Sequence, residues 1–236
     1  MRRQQAFCGI LGGRFHPRPM SDLSALRPRL DAGLHALQLP VEPLATRLLA
    51  YLELLARWNA TYNLTAIRDP QQMLTLHLLD SLAIAPFVHG RVADIGSGAG
   101  LPGLVLALAR PDIQVTSIES AGKKARFQRE AVRVLGLANV SVLAERAEQA
   151  PRGEGFDCVL SRAFGSLAQF VRVGGHLLRD NGRLLAMKGV IPADEIAALP
   201  AGWTLVATRA LAVPGLDAQR HLLEIERVST DEGSRT

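Results

Sequence analysis

One short run constrains this chain more than any other: Asp94-Ile95-Gly96-Ser97-Gly98-Ala99-Gly100-Leu101-Pro102-Gly103. It closes an apolar, strand-like segment and opens a helical one. Glycine lets a backbone turn tightly and lets a ligand approach with no Cβ in the way. A glycine-rich turn between a strand and a helix belongs at the carboxyl end of a strand in an open α/β sheet, where ligands bind.

The sequence around that run supports such a sheet. After Gly90, short strand-like runs alternate with helical ones. Strands are predicted at residues 91–95, 114–119, 140–143, 156–161 and 183–187. Helices are predicted at residues 101–110, 122–135, 167–178 and 193–199. That alternation implies an α/β fold whose mostly parallel sheet carries helices on both faces. Residues 203–211 and 220–228 follow with only Pro214-Gly215 as punctuation between them. They read as an antiparallel pair at one sheet edge, making seven strands in all.

Before Gly90 the pattern is helical. Leu44, Leu48, Leu52 and Leu55 recur at helical spacing, and Trp58 and Tyr62 extend the stripe. Asp69-Pro70 reads as an N-cap followed by proline at the first helical position, predicting a helix from Pro70 to about Ala85. The division expected is a helical N-terminal subdomain over 20–89 and a ligand-binding domain over 90–236. The first 19 residues are rich in Arg, Gly and Pro, and Met20-Ser21-Asp22 resembles a fresh start. They are expected to be disordered or a misassigned start; a signal peptide is a poor reading, because the apolar run from Ala6 to Leu11 is too short.

Charge says little about the folded body. The formal net charge is +5, but Arg2, Arg3, Arg14, Arg18, Arg27 and Arg29 against Asp22 account for all of it. Only local clusters then bear on an anionic partner. The two cysteines, Cys8 and Cys158, lack metal spacing, and Cys158 sits in an apolar run. No metal is expected, and no apolar stretch is long enough to span a membrane. A reducing, cytoplasmic setting is the expectation.

Two cofactors fit the turn. Gly98-Ala99-Gly100-Leu101-Pro102-Gly103 satisfies GxGxxG, the dinucleotide fingerprint, which would make the chain an NAD-dependent oxidoreductase. The overlapping Asp-x-Gly-x-Gly-x-Gly suits S-adenosylmethionine better. That ligand has no pyrophosphate, and Asp94 can serve its ammonium group. Glu119, ending the second strand, can accept hydrogen bonds from ribose hydroxyls in either case. Asp94, Gly96, Ser97, Gly98, Gly100 and Glu119 are therefore the candidate cofactor residues. A glycine turn with no ligand is the structural alternative.

Five stretches in order extend this picture: RWNATYNLTAIRDPQQMLTLHLLDSL (57–82), DIGSGAGLPG (94–103), FDCVLSRAF (156–164), LLAMKG (184–189) and LDAQRHLL (216–223). Together they resemble the bacterial small-subunit rRNA methyltransferase G family, also called glucose-inhibited division protein B. The resemblance implies a class I, Rossmann-like methyltransferase fold with an N-terminal helical cap. It implies S-adenosylmethionine as cofactor, and N7 methylation of a guanine in a conserved loop of 16S rRNA. By matching positions it places cofactor contacts at Gly96, Leu101, Ser120, Ala121, Gly122, Ala147, Glu148 and Arg162. The partner would be 16S rRNA or the 30S subunit. A non-catalytic ribosome-binding module that keeps the pocket is the remaining alternative.

Guanine N7 carries a lone pair and no proton. Its methylation needs positioning rather than a general base. Arg162 ends the fourth strand and is the leading catalytic candidate, binding the cofactor carboxylate or guanine O6. Lys188, ending the fifth strand, is the second. Phe164 can stack on a base or pack in the core. His77, Asp80 and Ser81 share one helical face. They mimic hydrolase residues but lack a nucleophile elbow, so they read as a polar face toward the catalytic domain, with Asn63 and Thr65 nearby. Lys123 and Arg126, with Arg129 and Arg133, form a basic helix face that suits RNA phosphate or plain solvation. Arg220 and His221 are the last RNA candidates.

Overall fold

A computed structural model describes residues 23–162 and 164–228. The expectations for residues 1–19 and for Cys8 lie outside the described residues. The chain opens with helices α1 (Arg27–Ala36) and α2 (Leu44–Tyr62). Then come α3 (Pro70–Met73), a π-helical turn (Leu74–Leu79) and α4 (Asp80–Leu82). The leucine stripe of α2 is buried as its spacing predicts, and Tyr51 and Asn59 are buried with it. Asn63 ends α2 in the left-handed region at φ 49°, a conformation asparagine tolerates. Asp69 caps α3 by accepting from Gln72 N at 2.9 Å, with Pro70 in the first turn. The uninterrupted helix expected from Pro70 is therefore corrected in one respect. Its middle is a π turn, in which Asp80 N reaches Thr75 O. Such turns add a residue to the hydrogen-bonded ring without changing the apolar composition, so sequence periodicity does not reveal them.

The sheet has seven strands in the order β3-β2-β1-β4-β5-β7-β6. Strands β1 (Arg91–Ile95), β2 (Gln114–Ile118), β3 (Val140–Leu143), β4 (Phe156–Ser161) and β5 (Leu178–Lys188) are parallel. Strand β7 (His221–Arg227) runs antiparallel to both β5 and β6 (Trp203–Ala210). Helices α5 (Gly103–Ala109), α6 (Gly122–Leu135), α7 (Leu167–Gly174) and α8 (Ala193–Ala197) complete the chain. This is the expected α/β architecture.

Several boundaries move for local reasons. Helix α5 starts at Gly103 rather than Leu101, because Pro102 takes the N-cap position. Helix α7 stops at Gly174 and passes into a 3-10 turn over Gly175–Leu177. Strand β5 begins at Leu178 rather than Arg183. Its register against β4 shifts between Leu178 and Arg183, around Asn181 at φ 65° and Gly182. Asn-Gly reads as a turn, and here it forms an irregularity within a strand instead.

Helix α5 buries every residue from Gly103 to Leu108, because it lies between the sheet and the N-terminal helices. One apolar cluster runs from Leu30, Leu48, Leu52 and Leu78 through Leu104, Leu108 and Phe127. A second, on the opposite side of the sheet, joins Ile95, Val159 and Leu184 to Leu167 and Phe170 of α7. Each fully buried leucine contributes about 1.5–3 kcal/mol, so the first cluster fixes the N-terminal helices firmly against α5 and α6. No helix among the described residues is long and apolar enough to cross a membrane.

Candidate active site

The sheet reverses its strand order between β1 and β4, and the crevice at such a switch point is where open α/β sheets bind ligands. The glycine turn leaves β1 on one side of this crevice. Ser161 and Arg162 leave β4 on the other. Because Lys188 pairs with His221 across β5 and β7, Lys188, Arg220 and His221 reach the same edge.

The turn is held from four directions. From the end of β2, Glu119 accepts Gly98 N and Ala121 N, each at 2.8 Å, one on each carboxylate oxygen. Also from β2, Ser117 Oγ donates to Ser97 Oγ at 2.7 Å. From α6, Gln128 Nε2 donates to Ser97 Oγ and to Gly98 O, both at 2.8 Å. From α2, the Tyr51 hydroxyl donates to Ala99 O at 2.7 Å. Burial pushes the Tyr51 phenol above its ordinary range, which keeps the hydroxyl a donor at any working pH. Inside β1, Asp94 Oδ2 accepts Gly103 N at 2.8 Å.

The glycines divide by task. A Cβ on Gly103 would lie 2.7 Å from Asp94 Oδ2, so this glycine permits close helix–strand packing. A Cβ on Gly98, at φ +60°, would meet nothing within 4 Å. That part of the turn is bare backbone facing open space. Asp94 is fully buried, and its Oδ1 has no hydrogen-bond partner. Burial outweighs the Gly103 hydrogen bond and raises its carboxyl to about 7. An open glycine cradle that follows a buried carboxyl with an unused oxygen fits a ligand that brings cationic groups. The residues present therefore suit S-adenosylmethionine.

Around this turn lie most of the predicted cofactor positions: Asp94, Gly96, Ser97, Gly98, Gly100 and Leu101, then Glu119, Ser120, Ala121 and Gly122 at the start of α6. Ala147 and Glu148 form a 3-10 turn after β3. The Phe164 ring would lie 3.9 Å from a Cβ on Gly96 and packs on Phe170 at 5.6 Å between centroids. It thus touches both the turn and the second core.

A cleft of about 380 Å³ opens beside β4 and β5, lined by Ile67, Leu76, His77, Asp80, Arg162, Met187, Lys188, Gly189 and Arg220. Five predicted site residues meet here. Arg162 Nη1 donates to Leu76 O at 3.0 Å. The π turn leaves that carbonyl available, because Asp80 N bonds Thr75 O and His77 O instead. Arg220 Nε donates to Asp80 Oδ1 at 3.0 Å, and Arg162 Nη1 lies 3.8 Å from Asp80 Oδ2. Burial raises the Asp80 carboxyl, with both guanidinium groups pulling the other way. Lys188 Nζ is held by Glu195 of α8 at 2.9 Å. His77 Nε2 lies 3.0 Å from Thr65 Oγ1. Burial first, and Arg162 second, lower the His77 imidazole to about 4, so it is neutral at physiological pH.

Other candidates lie apart from the cleft lining. Ser81 is fully buried and its hydroxyl has no partner. Asn63 is exposed, caps α2 and bonds Arg68. Thr65 reaches the cleft only through His77. His221 Nδ1 lies 2.9 Å from Gly189 O. Lys123, Arg126, Arg129 and Arg133 are exposed on α6, and Arg133 is paired with Glu130 at 2.8 Å. Sequence reading missed Tyr51 and Gln128. Tyr51 lies within the apolar stripe, and Gln128 carried no signal beyond being polar in a buried helix position. It also missed Asn59, which accepts from Thr65 N at 2.9 Å and donates to Ile67 O at 3.3 Å, shaping the loop beside the cleft.

Comparison with known proteins places the chain in a family. The family model described as "rRNA small subunit methyltransferase G" matches residues 45–223. The ribosomal RNA small subunit methyltransferase G of Stenotrophomonas maltophilia (strain K279a) is 56% identical over 211 residues, covering 89% of this chain and 97% of that protein. The protein of the same name from Azoarcus sp. (strain BH72) is 55% identical over 212 residues, covering 88% of this chain and 100% of that one. Among solved structures, a protein in the NADB-Rossmann superfamily from Streptococcus agalactiae aligns with a TM-score of 0.51 at 17% identity. That alignment covers 63% of this chain and 67% of the other, and shows the shared fold alone. By sequence along most of its length, the chain belongs to the rRNA small subunit methyltransferase G family.

Proposed function

We propose that this chain transfers the methyl group of S-adenosylmethionine to N7 of a guanine in 16S rRNA, in the cytoplasm, with 16S rRNA or the 30S subunit as partner. In this reading residues 20–89 form a helical cap and 90–236 the methyltransferase domain. Family membership sets aside the dinucleotide-dependent oxidoreductase. The observation that carries the proposal is that Arg162, which lines the cleft with Lys188, also acts electrostatically on Asp94, the buried carboxyl that opens the glycine turn.

When bound, the cofactor would supply a methyl group on cationic sulfur, and because guanine N7 offers a lone pair and carries no proton, the protein would have no proton to remove. The protein's task is accordingly to hold two reactants in line, which can supply most of the acceleration. The Gly96–Gly100 turn, Glu119, Ser120–Gly122 and the Ala147–Glu148 turn hold the cofactor. The Arg162 guanidinium binds the cofactor carboxylate or guanine O6. Lys188, pinned by Glu195, presents positive charge without flexing into the cleft. His77 stays neutral and hydrogen-bonded to Thr65, orienting the loop rather than moving a proton. Incubating 30S particles that lack the modification with the protein and labelled S-adenosylmethionine tests this. The expected outcome is one equivalent of 7-methylguanine in 16S rRNA, mapped by cleavage at the methylated base. Cofactor uptake without methyl incorporation would refute it.

A further inference from the structure

The cleft contains one carboxylate among its lining residues, and that carboxylate is only partly used. Asp80 is 4% exposed. Arg220 occupies its Oδ1 at 3.0 Å, while Arg162 stands 3.8 Å from its Oδ2, beyond hydrogen-bond reach. Oδ2 therefore keeps acceptor capacity toward the cleft. The cations around it are already directed: Lys188 to Glu195, Arg162 to the Leu76 carbonyl, Arg220 to Asp80 itself. Ile67, Leu76 and Met187 offer apolar surface on which a flat ring can lie.

We propose that Asp80 reads the N1–H and exocyclic N2 amino edge of the acceptor guanine, and so sets the choice of guanine over adenine. This rests on the reading given under Proposed function and deepens it. Guanine presents two adjacent donors on that edge, the complement of a carboxylate. Adenine presents a ring-nitrogen lone pair there, which the carboxylate repels. The N1–N2 edge lies on the six-membered ring, away from N7, so holding the base by it leaves N7 free for the methyl group. Single-stranded RNA bases are commonly recognised on this Watson–Crick edge. Arg220 fixes the carboxylate in place, since an acceptor that specifies a base must not swing away.

The test uses 30S particles reconstituted with 16S rRNA that carries guanosine or inosine at the methylated position. Inosine keeps N7, O6 and N1–H but lacks the N2 amino group. Losing one hydrogen bond to a charged acceptor should lower kcat/KM on the inosine particle by about 10- to 100-fold for the unaltered enzyme. Asp80→Ala should bring the guanosine-to-inosine ratio close to one, and Asp80→Asn should give an intermediate ratio. Retained calorimetric binding of S-adenosylmethionine shows that each variant is folded. If both variants fail to fold, the unaltered enzyme still decides: equal rates on the two particles overturn the proposal. A particle series with no methylation at all, guanosine included, would instead overturn the underlying methyltransferase reading.

Discussion

Glu119→Gln should damage the glycine turn more than its small chemical change suggests. Both carboxylate oxygens of Glu119 accept backbone N–H groups at 2.8 Å, Gly98 on one side and Ala121 on the other. A glutamine side chain keeps one acceptor oxygen and replaces the other with an NH₂ that can only donate. Whichever way the amide is turned, one of these two N–H groups then faces a donor. A hydrogen bond to a charged group is worth about 1.5–3 kcal/mol. The variant loses one such bond outright and weakens the other. The expected loss of folding stability is about 2–3 kcal/mol in urea titration. Freed Gly98 also loosens the cradle, so the calorimetric Kd for S-adenosylmethionine should rise by roughly 10- to 100-fold. Stability within about 0.5 kcal/mol of the parent, together with an unchanged Kd, would refute the claim that Glu119 organises this turn.

Tyr51→Phe removes only the hydroxyl that holds Ala99 O. It should cost about 1–2 kcal/mol in urea titration, with weaker cofactor binding. His77 titrates near 4 when folded, against 6.5 unfolded. The unfolded chain therefore binds more protons between those values, and stability falls as pH drops from 6.5 to 4. The loss integrates to about 3 kcal/mol, and His77→Gln should abolish that component in urea titrations across this range. Asp94 has the opposite sign. Its carboxyl titrates near 7 when folded, against 3.8 unfolded, so the folded state holds the extra proton and stability falls as pH rises from 3.8 to 7. Asp94→Asn should gain on the parent by about 4 kcal/mol across that window without ligand. It should bind the cofactor more weakly at pH 8, and a constant difference between variant and parent would refute the assignment.

The overlap of those two windows should flatten the parent's own pH profile: between pH 4 and 6.5 the His77 and Asp94 effects pull in opposite directions. Sequence could point to both residues but not to this opposition. It located Asp94 two residues before the first glycine and His77 on a polar helical face. Whether either is buried depends on what packs over it. The succession of strands and helices and the antiparallel edge were legible because apolar periodicity and turn residues are local signals. The braces on the glycine turn were not. Gln128 reaches Ser97, and Tyr51 reaches Ala99, across long separations in the chain. Nothing near either residue in sequence marks it as a partner. The π turn escaped notice for a different reason, since it redirects a carbonyl while leaving the residue pattern intact.

That redirected carbonyl shows how the two halves of the chain depend on each other. Leu76 O is satisfied by Arg162 just after β4, Asp80 by Arg220 just before β7, and Ala99 O by Tyr51 from α2. Each bond joins a residue before Gly90 to one after it. Each also lies within the glycine turn or the cleft beside β4 and β5. Undocking the N-terminal helices would break hydrogen bonds in both places at once, at about 0.5–1.5 kcal/mol for each neutral pair and more for the charged Asp80. The same movement would expose the leucines of the shared cluster. The helices and the sheet therefore hold the site in a single docked arrangement. A loose hinge between them would cost the fixed geometry on which the proposed transfer without a general base depends.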